Sequence, residues 1–357
     1  MTGRREYLDW LRGIAVLVMV EAHTLDSWTQ IDDHARPSYA WAMVIGGFGA
    51  PIFLFLAGIA LALAAGSRLR KGRTDAEAAA LARRRGWQVF GLAFLFRLQS
   101  VLVSGGSVES LLKVDILNIM GLAMLAAAVL WRLGRGRWSK ALLLAAAAVT
   151  IAMLTPVIRA TPLLTPLPDR LEWYFRPFPG RTTFTLFPWG GFLLAGAALG
   201  MWLDATRTAA EERRVIVVLS VLGPLLAVTG YAASFLPPIY ADTNFWTSSP
   251  TFFFLRVGVL LTLLPIAYAW NALFTGRSPM REFGVASLFV YWIHVEMVYG
   301  IVSRPLHKRL PFGQSVAAFA AFSLFLFALV KLKDKTTKFT KDTKPFWVVR
   351  DLRGLRG

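Results

Sequence analysis

The chain has 357 residues, of which 56% are hydrophobic and only 17% charged, and it has no Cys; its mean hydropathy is +0.53. Soluble domains carry about a quarter charged residues, so this composition excludes a soluble multidomain enzyme, a disordered chain, a disulfide scaffold and a zinc-finger protein. A net charge of +18, from 39 Lys and Arg against 21 Asp and Glu, would suggest nucleic acid in a soluble protein; in a polytopic membrane protein, basic loops beside anionic lipid account for it, and no nucleic-acid partner is expected.

Ten apolar segments follow in chain order, at about 8–24, 43–66, 87–103, 114–131, 139–158, 184–203, 215–236, 250–272, 284–302 and 314–332. Each approaches the roughly 20 residues of a membrane-spanning helix. Segments this long favour helices over a membrane β-barrel, whose strands would be short and alternating. The predicted fold is all-α: a polytopic membrane protein of about ten transmembrane helices around a polar cavity. Residues 1–332 form the membrane domain and 333–357 a basic cytoplasmic tail, with Lys344-Pro345-Phe346-Trp347 near the interface. Counting from Arg4 and Arg5, 27 Lys and Arg fall outside the segments on one side and nine on the other. That bias predicts that both termini are cytoplasmic and that the number of spans is even. The start Gly3-Arg4-Arg5 superficially resembles a twin-arginine export signal, but with nine spans following, a start anchor is the better reading. The outer loops 159–183 and 237–249 are rich in aromatics, among them Trp173, Tyr174, Phe175, Phe178, Tyr240 and Trp246. An interfacial aromatic belt explains these ahead of a carbohydrate platform.

Three Arg remain inside the segments: Arg12, Arg97 and Arg256. Asp9, Glu21, His23, Asp115 and His294 join them. Ionisable residues at membrane depth are costly and line polar cavities. Arg12 and His23 are eleven residues apart, almost three helical turns, so they share a face about 16 Å apart. Asp9 lies three residues before Arg12 and can pair with it. Asp26 lies three beyond His23 and can orient its ring as the third member of an acid–base set. Arg12 either snorkels to headgroups or serves a site, and His23 is either an inter-helix hydrogen bonder or a general base. His34, in the first outer loop, follows Asp32 and Asp33. No further ligand at useful spacing makes these a metal site, and none is expected. His294 in Tyr291-Trp292-Ile293-His294 reads better as a packed, hydrogen-bonded ring. His307, among basic residues, has no assigned role. Arg97 and Arg256 each need an anion, either a carboxylate such as Asp115, Glu21 or Glu296 or a bound phosphate or carboxylate. The Arg83-Arg84-Arg85 cluster reads first as topology and second as an attractor of a bound nucleotide. No phosphate loop, dinucleotide fingerprint or Gly-x-Ser-x-Gly elbow appears.

The stretch Leu8-Asp9-Trp10-Leu11-Arg12-Gly13-Ile14-Ala15, continuing through Met19-Val20, resembles the start of the transmembrane acyltransferases. It is most similar to the heparan-alpha-glucosaminide N-acetyltransferase branch and its bacterial relatives, which are related to the acyltransferase-3 proteins. Weaker blocks agree: Gly49 to Gly58, Arg84-Arg85-Gly86, Pro188 to Phe192, and Phe283 to His294. The resemblance covers the chain to about residue 305. It implies transfer of an acyl group, acetyl in this branch, from cytoplasmic acyl-CoA to a hydroxyl or amine of an extracytoplasmic glycan. The acyltransferase-3 pattern of Arg, ten residues, then His falls on Arg12 and His23; the glucosaminide branch has its His in the first outer loop, at His34. Both patterns are satisfied. Arg12, Arg97 and Arg256 are the expected acyl-CoA binders, and His23, His34 and Asp26 the expected catalytic set. The expected setting is a bacterial cytoplasmic membrane, with lipid bilayer, acyl-CoA and carbohydrate as partners and a homo-oligomer compatible with it. The rival readings are a transporter or lipid-handling protein that uses the same Arg/His stripe, and a non-catalytic membrane scaffold.

Overall fold

The computed structural model describes residues 4–105 and 107–342. Among these the chain is helical, with two isolated bridges, Thr29 with Leu310 and Val114 with Thr182, in place of any β-strand. The helices are α1 (Glu6–Trp28), α2 (Pro37–Gly46), α3 (Gly49–Arg70), α4 (Asp75–Ser104), α5 (Ile116–Leu133), α6 (Arg137–Ala160), the single turn α7 (Asp169–Glu172), α8 (Leu186–Ala205), α9 (Ala209–Ala233), α10 (Pro250–Leu273), α11 (Pro279–Val285), α12 (Ser287–Tyr299) and α13 (Phe312–Asp342). Eight helical stretches are long and apolar enough to cross a membrane: α2 with α3, then α4, α5, α6, α8, α9, α10 and α13 as far as Thr336. The protein is therefore an all-α polytopic membrane protein. The other two expected spans are α1, which has the length but carries Glu6, Asp9, Arg12, Glu21 and Asp26, and the α11–α12 pair, whose pieces are short.

Several boundaries differ from the sequence pattern. The expected continuous span 284–302 is broken at Ala286 (φ −92°, ψ 10°), and α12 ends at Tyr299, before a 3-10 turn over Ile301–Leu306. The break is silent in the sequence because Val285 before it and Leu288 to Val290 after it are all apolar; it follows from how α11 packs against α1. The span expected at 43–66 begins earlier and bends at Gly46–Phe48, between α2 and α3. Asp115 is not inside a span. It is the N-cap of α5, where its carboxylate accepts from the Leu117 N–H (3.1 Å) while Asn118 Oδ1 accepts from the Asp115 N–H (3.0 Å). Such a capping box satisfies two otherwise orphaned amides. α13 passes the expected boundary at 332, because Lys-rich sequence sustains a helix. The rest of the expected tail, 343–357, with Lys344 to Trp347, lies outside the described residues, as does Gly3.

Close backbone approach sets the packing. Lipid supplies little hydrophobic drive between helices, so small residues that let backbones touch do the work. Gly58 on α3 faces the Leu193 carbonyl of α8, and Gly196 on α8 faces the Phe55 carbonyl of α3. A Cβ on either would collide with that oxygen. The same reciprocity joins α1 to α11: Gly13 faces the Met280 carbonyl and Gly284 faces the Asp9 carbonyl. This contact seats α11 against the inner part of α1, and the chain must then turn at Ala286 for α12 to continue beside the rest of α1. At the loop ends, Arg5 binds Glu212 (2.8 Å), the Leu203 carbonyl (2.9 Å) and Thr206 (3.0 Å), and Tyr7 donates to the same Glu212 (2.7 Å). Buried Asp33 accepts from the Phe312 N–H (2.7 Å) and caps α13.

Two expectations follow. Gly196→Ala should cost about 1–3 kcal/mol by overpacking, read as a lower melting temperature in detergent, whereas Gly91→Ala, where an added Cβ meets nothing within 4 Å, should not lower it and should raise it slightly through helix propensity. Asp33 is held below its ordinary value of 3.8, first by the Phe312 N–H and then by Gln30 and Arg36, against the opposing effect of burial. The cap should therefore be fully present above pH 3.8 and lost as pH falls below that value. Amide exchange at Phe312–Ser315 should accelerate on acidification and, at neutral pH, in Asp33→Ala.

Candidate active site

A cavity of about 1410 Å³ runs along the inner faces of α1, α3, α4, α5 and α12. One end is basic, with Arg12 on α1 and Arg84, Arg85 and Gln88 on α4. Arg12 Nη1 donates to Asp9 Oδ1 at 2.9 Å, so the expected pair forms; Arg4 also contacts Asp9. Arg84 and Arg85 are exposed and have no acidic partner among the described residues. The middle is apolar, walled by Phe53, Ala57, Leu61, Leu92, Phe96 and Met124. The far end carries His23, Asp26, Tyr299 and Glu296 on one side and Arg97, Lys113, Asp115, Thr183 and Trp189 on the other. The eleven residues from Arg12 to His23 give the cavity its length, about 16 Å between those positions.

At the far end His23 Nδ1 lies 2.9 Å from His294 Nε2, with the two ring planes nearly parallel (7°) and the ring centroids 5.1 Å apart, so that the rings meet edge to edge. His294 Nδ1 lies 2.9 Å from the Val290 carbonyl, one turn back on α12, and His294 is fully buried. Tyr291 meets the His294 ring edge-on, and Tyr299 meets His23 in the same way. Asp26 does not orient His23, as the spacing on α1 had suggested. Its carboxylate instead takes the Tyr299 hydroxyl (3.2 Å) and lies 3.8 Å from Lys308. A residue 271 positions away in sequence occupies the place expected for a helical neighbour.

The other candidates divide. Arg97 pairs with Asp115 at 3.0 Å, both on the cavity wall. Next to them Lys113 makes no ion pair among the described residues; burial first, then nearby Arg97, push its ammonium below its ordinary value, against the opposing attraction of Asp115. His34 is not on the cavity wall. It sits in the 3-10 turn Ile31–Ala35, donates Nε2–H to the Thr29 carbonyl (3.2 Å) and stacks on Tyr39 at 4.2 Å. Arg256 is also off the wall, near the start of α10. Among the described residues it makes no ion pair; its guanidinium lies over Phe252 (4.0 Å), Trp189 (5.6 Å) and Phe48 (5.9 Å). Cation–π contact of this kind stabilises a desolvated cation without an anion. Glu21 Oε2 is buried with no hydrogen bond. His307, given no role by its sequence, joins Ser27, Trp28 and Ser303 around the Val298 carbonyl, at 3.0, 3.1, 3.3 and 2.6 Å respectively.

Sequence reasoning missed one feature. The partnership of His294 with His23 had a signal only in the presence of a polar ring in an apolar segment. Arg84 and Arg85, read first as topology, line the cavity.

The family model for the heparan-alpha-glucosaminide N-acetyltransferase catalytic domain matches residues 4–233, more than half of the chain. The chain belongs to this family. The matched region holds α1 to α9, with Arg12, His23, Arg84, Arg85 and Arg97, whereas His294 lies beyond it. No curated protein matches the sequence. The family is one of acetyltransferases, and eight membrane-length apolar helices make this member an integral membrane protein.

A test separates structural pairing from ligand binding at Arg97. Arg97→Met leaves buried Asp115 unpaired and should cost about 3–5 kcal/mol, and Arg97→Met with Asp115→Asn should recover most of it. Thermal unfolding of the three proteins in one detergent reads this directly.

Proposed function

We propose that the protein moves an acetyl group from acetyl-CoA, or another acyl group from its acyl-CoA, at the basic end of the cavity to a hydroxyl or amine of a glycan or sugar at the other end. The observation that carries this reading is one continuous cavity with unpaired Arg84 and Arg85 at one mouth and His23 at the opposite end. Guanidinium groups grip phosphates in forked geometry, so Arg84 and Arg85, with Arg12 behind them, suit the nucleotide phosphates of CoA. The apolar middle suits the thin, extended arm of CoA, which carries the thioester toward His23. There the base takes a proton from the acceptor as it attacks. Arg256, beside aromatic rings and away from the basic mouth, is not part of this reading of the donor site.

The topology adopted here has ten crossings, counting α1 and the α11–α12 pair, with the Arg84 end and both termini cytoplasmic. It follows the charge bias of the loops, and it sets the donor in the cytoplasm and the acceptor outside, in a bacterial cytoplasmic membrane. Residues 1–332 act as one acyltransferase unit and 333–357 as a basic tail. A cavity joining two ends would serve a transporter equally well in shape, and that is the second reading.

Acetyl-CoA binding and thiol release by the full chain in lipid nanodiscs decide between them. Wild type should bind acetyl-CoA. Arg84→Gln with Arg85→Gln should weaken binding at least tenfold, by about 1.4 kcal/mol or more. His23→Ala should keep binding and lose on the order of 10²–10⁴ in turnover. If wild type binds no acetyl-CoA in any lipid, the acyl-transfer reading fails and the transporter reading replaces it.

A further inference from the structure

The structure assigns His294 the task of fixing the proton of His23, so that His23 offers its Nε2 lone pair to the cavity; the inference rests on the acyl-transfer reading and deepens it.

The assignment comes from counting protons along one chain of contacts. The Val290 carbonyl can only accept, so the nitrogen facing it at 2.9 Å, His294 Nδ1, carries a hydrogen. A neutral His294 then has its lone pair on Nε2. That lone pair faces His23 Nδ1 at 2.9 Å, so His23 Nδ1 carries the hydrogen and donates. His23 is left with an unprotonated Nε2 on a ring that lines the cavity. Which ring nitrogen of a His holds its proton is set by the partner of the other nitrogen, and here that partner comes from the far end of the chain.

The surroundings hold the pair in register. His294 is fully buried, and Tyr291 closes its edge. Ser27 and Trp28, one turn beyond His23, both donate to the Val298 carbonyl, one turn beyond His294, at 3.1 and 3.3 Å. At the other end of α1, Gly13 and Gly284 lock α11 to the same helix. His34 also has its tautomer fixed, since its Nε2 proton goes to the Thr29 carbonyl and leaves Nδ1 unprotonated, but its ring is off the cavity. Two His residues matched the sequence pattern; the cavity position selects His23, and the proton chain through His294 sets which of its nitrogens is free.

The reaction step balances. The acceptor O–H or N–H gives its proton to His23 Nε2 as the acceptor atom bonds to the thioester carbonyl carbon. The C–S bond breaks with its electron pair on sulfur. The sulfur takes the proton back from His23 Nε2, leaving acylated acceptor and CoA thiol. Throughout, His23 Nδ1–H stays donated to neutral His294, which stabilises the transient imidazolium. His294 touches no substrate and is a positioning residue.

The test uses the full chain in nanodiscs with ¹⁵N-labelled His, of which there are four. His23→Ala and His294→Leu assign the signals. In wild type, Nδ1 of His23 should show the shift of a protonated nitrogen and Nε2 that of an unprotonated one, with a coupling between His23 Nδ1 and His294 Nε2. Finding His23 protonated on Nε2 instead overturns the assignment, whatever the kinetics. In acetyl-CoA turnover, His294→Leu should lower kcat by about 10²-fold and leave the KM for acetyl-CoA unchanged. His294→Gln, whose amide oxygen can still accept from His23 Nδ1–H, should restore most of kcat. Equal loss in Leu and Gln variants that keep the wild-type melting temperature also overturns it. If either variant fails to fold, the wild-type spectrum alone decides. A wild type with the expected spectrum but no acetyl-CoA binding would leave the proton assignment standing and remove acyl transfer as its use.

Discussion

The cost of holding ions in a helix surrounded by hydrocarbon governs this molecule. α1 alone places Asp9, Arg12, Glu21, His23 and Asp26 along one 23-residue helix. Each charged group at membrane depth must pair, reach water or line a polar space. Asp9 takes Arg12 and Arg4, Asp26 takes Tyr299 and Lys308, and His23 takes His294, while Glu21 Oε2 stays buried without a hydrogen bond among the described residues. Every one of these partners except Arg4 and Arg12 comes from the last fifth of the chain. The apolar spans in between form the frame that brings the two ends of the sequence together.

That frame depends on backbones touching. The α3–α8 and α1–α11 seams each use a glycine on both sides. A seam of this kind fixes both distance and rotation, because sliding by one residue would set a side chain against the facing carbonyl. Rotation matters most for α1, whose polar stripe must face the cavity while Leu11, Ala15 and Val16 are buried on its other sides. The same seam shapes α11–α12: once Gly284 is seated on Asp9, a straight helix could not also set His294 beside His23.

Much of this was legible in the sequence, for physical reasons that also mark where legibility stops. Long apolar runs have one solution in lipid, so the all-α class and most span positions follow from residue type. The Arg12–Asp9 pair follows from spacing on one helix, as does the shared face of Arg12 and His23. Asp115 was misplaced because an acid at a helix start and an acid inside a span look alike when the flanking residues are apolar; the Asn118 three residues on was the capping signal. The break at Ala286 leaves no trace, since it is imposed by the neighbour and not by a Pro or Gly at the site. Asp26 was the natural partner for His23 by local spacing, but the real partner is 271 residues distant and belongs to tertiary structure. Arg256 was read as needing an anion; Phe252, one turn back on its own helix, was within reach of the sequence pattern, but Trp189 and Phe48, 67 and 208 residues away, cannot be seen from that helix.

The Val298 carbonyl, where α12 comes to its end, has four donors within 3.3 Å: Ser27, Trp28, Ser303 and His307. A carbonyl oxygen has two lone pairs, so the four compete and any two suffice. The joint between α1 and α12 is thus redundant. Thermal motion can exchange one donor for another without opening it, and loss of a single donor leaves a surplus. A helix end that would otherwise fray instead behaves as a bearing, one that tolerates small rocking of α12 about α1 while keeping the two helices in contact.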